Sequence, residues 1–587
     1  MSPPEPPAPL PAPVVDPDTL GRAAARLAER PLLALDLETE GLDPHLHRPV
    51  LLALGDDRDQ LLVDLRRTPL EPLRPLLEGP TPKVTHHGAF DAAMLRGLGV
   101  RVEGLLDTML IEQVLTNGRA EGRRSLSELA ERYLGRPLDK AERTSFAQAG
   151  ETFSPGQLEY ARRDLLATFH VLLEQMPAVV RDGLEGTARL ECRAAPAFAD
   201  LRYDGVHLDR AGWQALIEEA RARRDEARAE VDRHLAAVAP TDLFGRVDLN
   251  LESEAELRRA LSRLVGVELR ELSKAALKAL GHPVAEPLVR YREMHKIVST
   301  YGSSFLEAIH PRTGRIHADF LQIGAPTGRV ACRDPNLQNV PRGSRFRACF
   351  RAPGDRRMVT ADYAGCELRI LAEASGDRAF VNTFQRGGDL HAIVASEIFG
   401  VTVSKQQNPQ LRERAKAINF GLAYGMGAAG LAAVTGITQD EAERLLAQYF
   451  RAYPRVRDYL EGSARLALAR GYAETLGGRR LSLQPGESIE GPELAALQRV
   501  AKNMPIQGTN ADMLKVAMAG IRARLGEEGR DACVVNCVHD ELLLEASADD
   551  AWDVAELTRE EMVRAGERYI SQVPVEVDVS VGEAWQK

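Results

Sequence analysis

The 587-residue sequence is short of the features that would place it in a membrane, a secretory route or a disulfide scaffold. No stretch approaches the roughly 18 uninterrupted apolar residues of a spanning helix, and the N-terminus has no basic region followed by an apolar one, so neither a membrane protein nor an exported one is expected. The cysteines, Cys192, Cys332, Cys349, Cys366, Cys533 and Cys537, form no CxxC pair and show no zinc spacing. Reduced thiols in a cytoplasmic compartment are the expectation, with Cys533 and Cys537 in the core of a strand. A net positive charge is missing too: 75 lysines and arginines are outnumbered by 85 aspartates and glutamates, for a net charge of -10. Such a chain does not coat a polyanion indiscriminately, and any grip on one must come from local basic surfaces. No internal repeat is found, and the length is too great for one core, so several domains are expected.

What is present divides along the chain. Residues 1–17, MSPPEPPAPLPAPVVDP, are too proline-dense for helix or sheet ladders and read as an extended tail. From 18 to 185, apolar runs such as PLLALDLE alternate with amphipathic helical patterns, the mark of an α/β domain. Residues 190–310 are helix-rich, and the charged stretch EEARARRDEARAEVDRHLA within them reads as a solvated helix face rather than a nucleic-acid contact. The rest of the chain carries four short motifs, taken up below.

In LLALDLETEGLD, residues two apart on a strand share a face, so Asp36 and Glu38 project together. Asp91 lies in HHGAFDAAML, and in YARRDLLATF the Tyr160 phenol and Asp164 carboxylate are one helical turn apart. Each alone is an ordinary surface or helix-cap residue; four acids and a tyrosine together make a site for a hard cation, since oxygen ligands suit magnesium or manganese. Their order and spacing resemble the DEDDy-type 3'-5' exonucleases. The resemblance implies two metals about 4 Å apart clamping a scissile phosphate, with Tyr160 orienting the attacking water. Relatives in that group carry asparagine where this chain has His87, which either hydrogen-bonds substrate or a ligand, or titrates and makes activity pH-sensitive.

The four motifs are DYAGCELR (362–369), RERAKAINFGLAYG (412–425), RVAKNMPIQGTNAD (499–512) and VHDE (538–541). RMVTADYA reads as a strand ending at Asp362, and VVNCVHDELLLE as a hairpin carrying Asp540, so two acids end strands that can lie side by side. Arg412, Lys416, Phe420 and Tyr424 repeat at fourfold spacing along one side of a helix, and Arg499, Asn503 and Gln507 do the same on another. With IHADFLQIGAPTGRVACRDPNLQNVPR before them, these motifs resemble DNA polymerase family A, the group of bacterial DNA polymerase I, from about residue 20 to the end of the chain.

That resemblance implies a role for each residue. Asp362 and Asp540 hold two magnesium ions, with Glu541 auxiliary. Arg412, Lys416 and His391 bind phosphates of a dNTP, Phe420 packs on its sugar, and Tyr424 stacks at the templating position. Glu367 lies beneath the incoming sugar, and Arg329 reads the minor groove at the primer end. Arg499, Asn503, Gln507 and His539 line the duplex. Ala325 and Pro326 before the TGR triplet, and Ala364, Gly365 and Cys366 after the Asp-Tyr pair, depart from the usual family sequence.

The implied architecture is α/β multidomain: a ribonuclease H-like exonuclease domain (18–185), then a right hand with thumb (186–314), palm (315–375 and 499–587) and fingers (376–498). The expected activity is DNA-directed DNA synthesis from dNTPs on a primer-template with 3'-5' proofreading, in DNA replication or repair, by a monomer in a bacterial cell or phage-infected host. Two Mg2+ are expected in each site, with Mn2+ able to substitute. No 5'-nuclease domain and no membrane contact are expected, and no helicase, primase or single-strand-binding partner is read from the sequence. The alternative is a DNA-binding 3'-5' exonuclease with a weak or inactive polymerase.

Overall fold

The computed structural model describes residues 12–119, 124–148, 150–244, 246–341, 343, 345–423, 426–483 and 490–586. The chain divides into two compact units. The larger comprises Met1–Val206, His317–Asn339 and Ala352–Glu583, and the smaller His207–Ile316, Val340–Arg351 and Ala584–Lys587.

The larger unit holds two sheets. The first has five strands in the order Gln60–Asp64, Pro49–Gly55, Leu33–Thr39, Lys83–Thr85, Leu105–Asp107. Leu33–Thr39 pairs antiparallel with Pro49–Gly55 and parallel with Lys83–Thr85. It is the middle strand, with Leu33, Leu35 and Leu37 on one face and Ala34 beside the acidic Asp36 and Glu38 on the other. The 27-residue helix Pro155–Arg181 packs across this sheet. Its start is fixed by a capping box in which Ser154 and Gln157 satisfy each other's backbone N–H groups, with Pro155 in the first turn. At the N-terminal end, Val14 bridges to Val63 and Asp16 caps the helix Pro17–Ala28, so the last part of the proline-dense stretch is tied to the sheet.

The second sheet is antiparallel, in the order Ala532–Val538, Glu541–Ala546, Arg357–Tyr363, Val577–Gly582. Every residue of Glu541–Ala546 is buried, which suits its near-continuous apolar run. The helix Gly491–Glu527, with Pro505 in its interior, and the helix Ala551–Glu567 pack together and share the core of this sheet. Between the two strands that frame Asp362 and Asp540 in sequence runs a helical block from Arg378–Gln385 to Pro454–Arg470. Phe380, Tyr449 and Tyr453 are wholly buried in it, with the Phe380 and Tyr453 rings 4.9 Å apart.

In the smaller unit the helices Arg210–Leu235 and Ala285–Tyr301 pack along each other. Trp213, fully buried, donates its indole N–H to the Tyr301 carbonyl at 2.8 Å and stacks on Phe305. The charged stretch beginning at Glu218 is a solvated face with a buried stripe of Ala220, Ala227 and Val231. The helix Glu185–Asp204 belongs to the larger unit, so the unit boundary at 206/207 and the expected thumb boundary at 185/186 differ by that one helix.

Candidate active sites

The first sheet assembles one site. Asp36 and Glu38 stand on the strand Leu33–Thr39, Asp91 in the first turn of the helix Gly88–Arg96, and Tyr160 and Asp164 a turn apart on Pro155–Arg181. The carboxyls feel one another. Burial and then Asp164 raise Asp36 to about 8; burial, Asp36, Asp164 and Asp91 hold Glu38 well above its usual range; burial and Asp36 do the same for Asp91. Burial lifts Asp164 to about 6, against the Tyr160 hydroxyl that bonds to it and the nearby Arg163, Lys140 and Arg143. Asp164 Oδ1 is buried with no hydrogen-bond partner. Among the described residues no three such side chains are drawn up into a metal-holding cluster; burial is the first cause of each raised pKa, and repulsion between neighbouring carboxylates adds to it for Asp36, Glu38 and Asp91. The donor set, all carboxylate oxygen around a buried unbonded oxygen, fits a hard divalent cation.

His87 is the N-cap of the Gly88–Arg96 helix and takes a left-handed conformation, φ 68° and ψ 43°. Asparagine, aspartate and histidine are the non-glycine side chains that enter that region most readily, so histidine meets the backbone requirement here. Asp107 fixes the turn by accepting from the N–H of His87 at 3.3 Å and of Gly88 at 2.7 Å. A side chain at Gly88 would stand 2.1 Å from Thr85 Oγ1, so only glycine fits. Crowding by protein lowers the His87 pKa against the pull of Asp107.

The second sheet assembles another site through register. Arg357–Tyr363 pairs Asp362 with Glu541 on one side and with Asp578 on the other. Directly opposite residues share a face, so three carboxylates lie in a row across neighbouring strands. Val538 pairs with Glu541, which leaves His539 and Asp540 as a two-residue hairpin loop. His539 carries the positive φ of 58° that such a tight loop demands, and the Tyr363 N–H donates to the Asp540 carbonyl at 3.2 Å. Asp540 is thereby pinned beside the end of the Asp362 strand. The buried Cys366 thiol senses the cluster: burial, Asp540, Glu367 and Asp362 all push its pKa up.

Glu367 opens the helix Cys366–Ser375, whose N-cap, Gly365, is left-handed at φ 65°, a conformation glycine takes without strain. Arg329 forms an ion pair with the largely buried Glu367 carboxylate.

On Pro409–Ala423, Arg412 donates to Asp389 Oδ2 at 2.7 Å and to Glu413 at 2.8 Å. Asp389 also caps the helix Leu390–Phe399, so the cap and the arginine are held by one carboxylate. His391, in the first turn of that helix, contacts Asn419 at 3.2 Å. Burial, then Arg412 and Lys416, lower His391 to about 4 against the pull of Asp389. Lys416 is exposed. Tyr424 and the Phe420 side chain lie outside the described residues.

Residues 218–587 match the family DNA polymerase family A, and residues 11–178 match a 3'-5' exonuclease family. The chain belongs to DNA polymerase family A. It is 38% identical over 437 residues to the thermostable DNA polymerase I of Thermus thermophilus, covering 71% of this chain and 51% of that one. Over 625 residues it is 31% identical to the DNA polymerase I of Chloroflexus aurantiacus, covering 98% of this chain and 63% of the relative. The chain thus spans between half and two thirds of those relatives' lengths. The POL domain of Pol1 from M. smegmatis, solved in complex with DNA primer-template and dNTP, superposes with a TM-score of 0.84 at 28% identity, over 97% of this chain and 99% of that one.

Three of the remaining residues expected to contact DNA lie on one helix of this family A chain. Along the helix Gly491–Glu527, Arg499 is exposed, Asn503 half-buried and Gln507 buried, so the fourfold stripe descends from solvent into the unit. His539 is exposed at the hairpin tip. Sequence reasoning missed Asp578, Asp389 and a buried charge cluster. In that cluster Lys515 pairs with Glu191 at 2.5 Å, and Arg479 pairs with Glu191 and, at 2.7 Å, with Asp512. Burial pushes Glu191 up, but Lys515 and Arg479 prevail and hold it below its usual range. The alternation in VEVDVSV marked Asp578 as a strand residue; nothing local marked its partner.

Proposed function

We propose that this chain extends a DNA primer on a DNA template with dNTPs and removes mispaired 3' ends at a separate site, as a monomer in the bacterial or phage-infected cytoplasm. The observation that carries the reading is the register that sets Asp362 against Glu541 and pins Asp540 beside it; Arg412, Lys416 and His391, grouped on two neighbouring helices, support it. The family's polymerases and exonucleases are metal-dependent. Asp362 and Asp540 would hold two magnesium ions in the palm, and Asp36, Glu38, Asp91 and Asp164 two in the exonuclease, with manganese able to replace them.

When bound, such ions activate the attacking oxygen and stabilise the charge that develops on the phosphoryl group. The protein's own residues do the rest. Arg412, Lys416 and the neutral His391 imidazole take the triphosphate, which requires Arg412 to exchange part of its bond to Asp389 for phosphate oxygens. Glu367 occupies the volume beneath the sugar, and Arg329 reaches the minor groove of the terminal pair, where every correct pair presents acceptors. Arg499, Asn503, Gln507 and His539 follow the duplex. In the exonuclease the Tyr160 hydroxyl, bonded to Asp164, orients the attacking water.

A labelled primer-template with magnesium, with and without dNTPs, tests both activities at once. Asp540→Ala is expected to abolish lengthening and leave shortening intact. Asp36→Ala with Glu38→Ala is expected to do the reverse. Loss of both activities in either variant would sink the two-site reading, and shortening without lengthening in the parent would favour an exonuclease with an inactive polymerase.

A further inference from the structure

The loop Gly324–Arg329, which presents Arg329, is held almost atom by atom. Within it the N–H groups of Gly324 and Ala325 both donate to the Arg329 carbonyl, at 3.0 and 3.1 Å, and Gly328 N–H returns to the Ala325 carbonyl at 2.8 Å. Two other carbonyls are held from outside. Lys515 Nζ, at the heart of the buried charge cluster, donates to the Gly328 carbonyl at 2.8 Å. On the other side the Asn117 side-chain amide donates to the Pro326 carbonyl at 2.8 Å.

Asn117 is not a polymerase residue. It follows the C-cap of the helix Thr108–Leu115, inside the segment that matches the exonuclease family. The same amide donates to the Arg480 carbonyl at 2.9 Å, and the Asn117 carbonyl accepts from Ser482 N–H at 3.0 Å. One side chain of the exonuclease segment therefore bridges two stretches of the polymerase segment. The next residue, Gly118, is left-handed at φ 79°, and a Cβ there would lie 2.5 Å from the Ser482 carbonyl oxygen, so the close approach itself requires glycine.

We propose that Asn117 is a positioning residue for Arg329: the exonuclease segment sets where the primer-end arginine stands, so the domain that removes a mispaired end also takes part in reading it. This rests on the reading of Arg329 as the primer-end contact. Lys515 secures the loop beside Arg329 and Asn117 secures its middle; releasing Asn117 leaves the loop's internal bonds and the Arg329–Glu367 ion pair intact but loosens the backbone that carries the arginine. Displacements of about an ångström at a reacting centre cost up to about a hundredfold in rate.

The test uses the full chain carrying Asp36→Ala and Glu38→Ala, so that trimming does not obscure extension. Single-nucleotide incorporation is measured on matched and mismatched primer ends. Asn117→Ala is expected to lower kcat on matched ends by about tenfold with little change in dNTP KM, and to narrow the matched-to-mismatched ratio. Asn117→Asp, which turns two donors into acceptors facing two carbonyls, is expected to do more. The deciding arm is the double variant: with Arg329→Ala already present, Asn117→Ala is expected to add nothing, because residues acting through one another are not additive. Parental kinetics for Asn117→Ala, or an undiminished loss in the Arg329→Ala background, would overturn the inference and leave Asn117 as a tie between segments. If Arg329→Ala alone extends both ends like the parent, the primer-end reading of Arg329 fails and the inference falls with it.

Discussion

Glu367 shows how much one residue carries. Its carboxylate is nearly buried at the start of a helix and is paired with Arg329, so it combines a charge for the arginine, a favourable place at a helix N-terminus and, on the proposed function, a shape beneath the sugar. Substitutions separate these roles. Glu367→Ala removes the shape, and relative incorporation of an rNTP against its dNTP is expected to rise by more than tenfold, above about 1.4 kcal/mol in relative transition-state binding. Glu367→Gln keeps the volume and loses the charge; the sugar ratio is expected to stay within about tenfold of the parent while extension falls, because Arg329 loses its ionic partner. Steady-state incorporation opposite one template base reads both. An unchanged ratio in the alanine variant would mean that Glu367 serves its helix and its arginine alone.

Among the elements, the paired helices Leu390–Phe399 and Pro409–Ala423 turn a simple spacing rule into an electrostatic device. Asp389 caps the start of the first and binds Arg412 of the second, so the arginine proposed to bind phosphate is oriented by the same carboxylate that caps its neighbour. His391 is lowered to about 4 by burial and by Arg412 and Lys416. A histidine whose folded pKa lies below its ordinary value contributes fully to stability above pH 6.5, and the contribution is lost as pH falls toward 4. Across pH 5.5 to 8 the ring is therefore neutral and acts as a hydrogen-bonding group. Extension by His391→Gln is expected to follow the parental pH profile in that range, scaled by a constant factor. An inflection near 6.5 in the parent that vanishes in the variant would show instead that the charged ring binds phosphate.

At the scale of the whole molecule, the larger unit is tied together by charge as well as by its core. Glu191, Arg479, Asp512 and Lys515 come from distant parts of the chain and are all essentially buried. Removing one member of such a set leaves an uncompensated buried charge, so Lys515→Met is expected to cost about 3–5 kcal/mol, whereas Arg223→Ala, which breaks an exposed pair with Glu219, is expected to cost less than about 1 kcal/mol. Denaturant unfolding compares the two, and equal small shifts would show that the cluster is dispensable. The contrast also marks what the sequence by itself determined. The period of two that pairs Asp36 with Glu38, the single turn from Tyr160 to Asp164 and the fourfold stripe from Arg412 all follow from local backbone geometry, which residue spacing expresses directly. The α/β pattern of the first domain and the strand ends at Asp362 and Asp540 were legible for the same reason. Asp578 opposite Asp362, Asp389 under Arg412, Asn117 against Pro326 and the cluster around Lys515 were not. Each depends on which strand lies beside which and on where a loop is held, and those choices are made by burial and pairing between residues far apart in the chain, to which no local spacing answers.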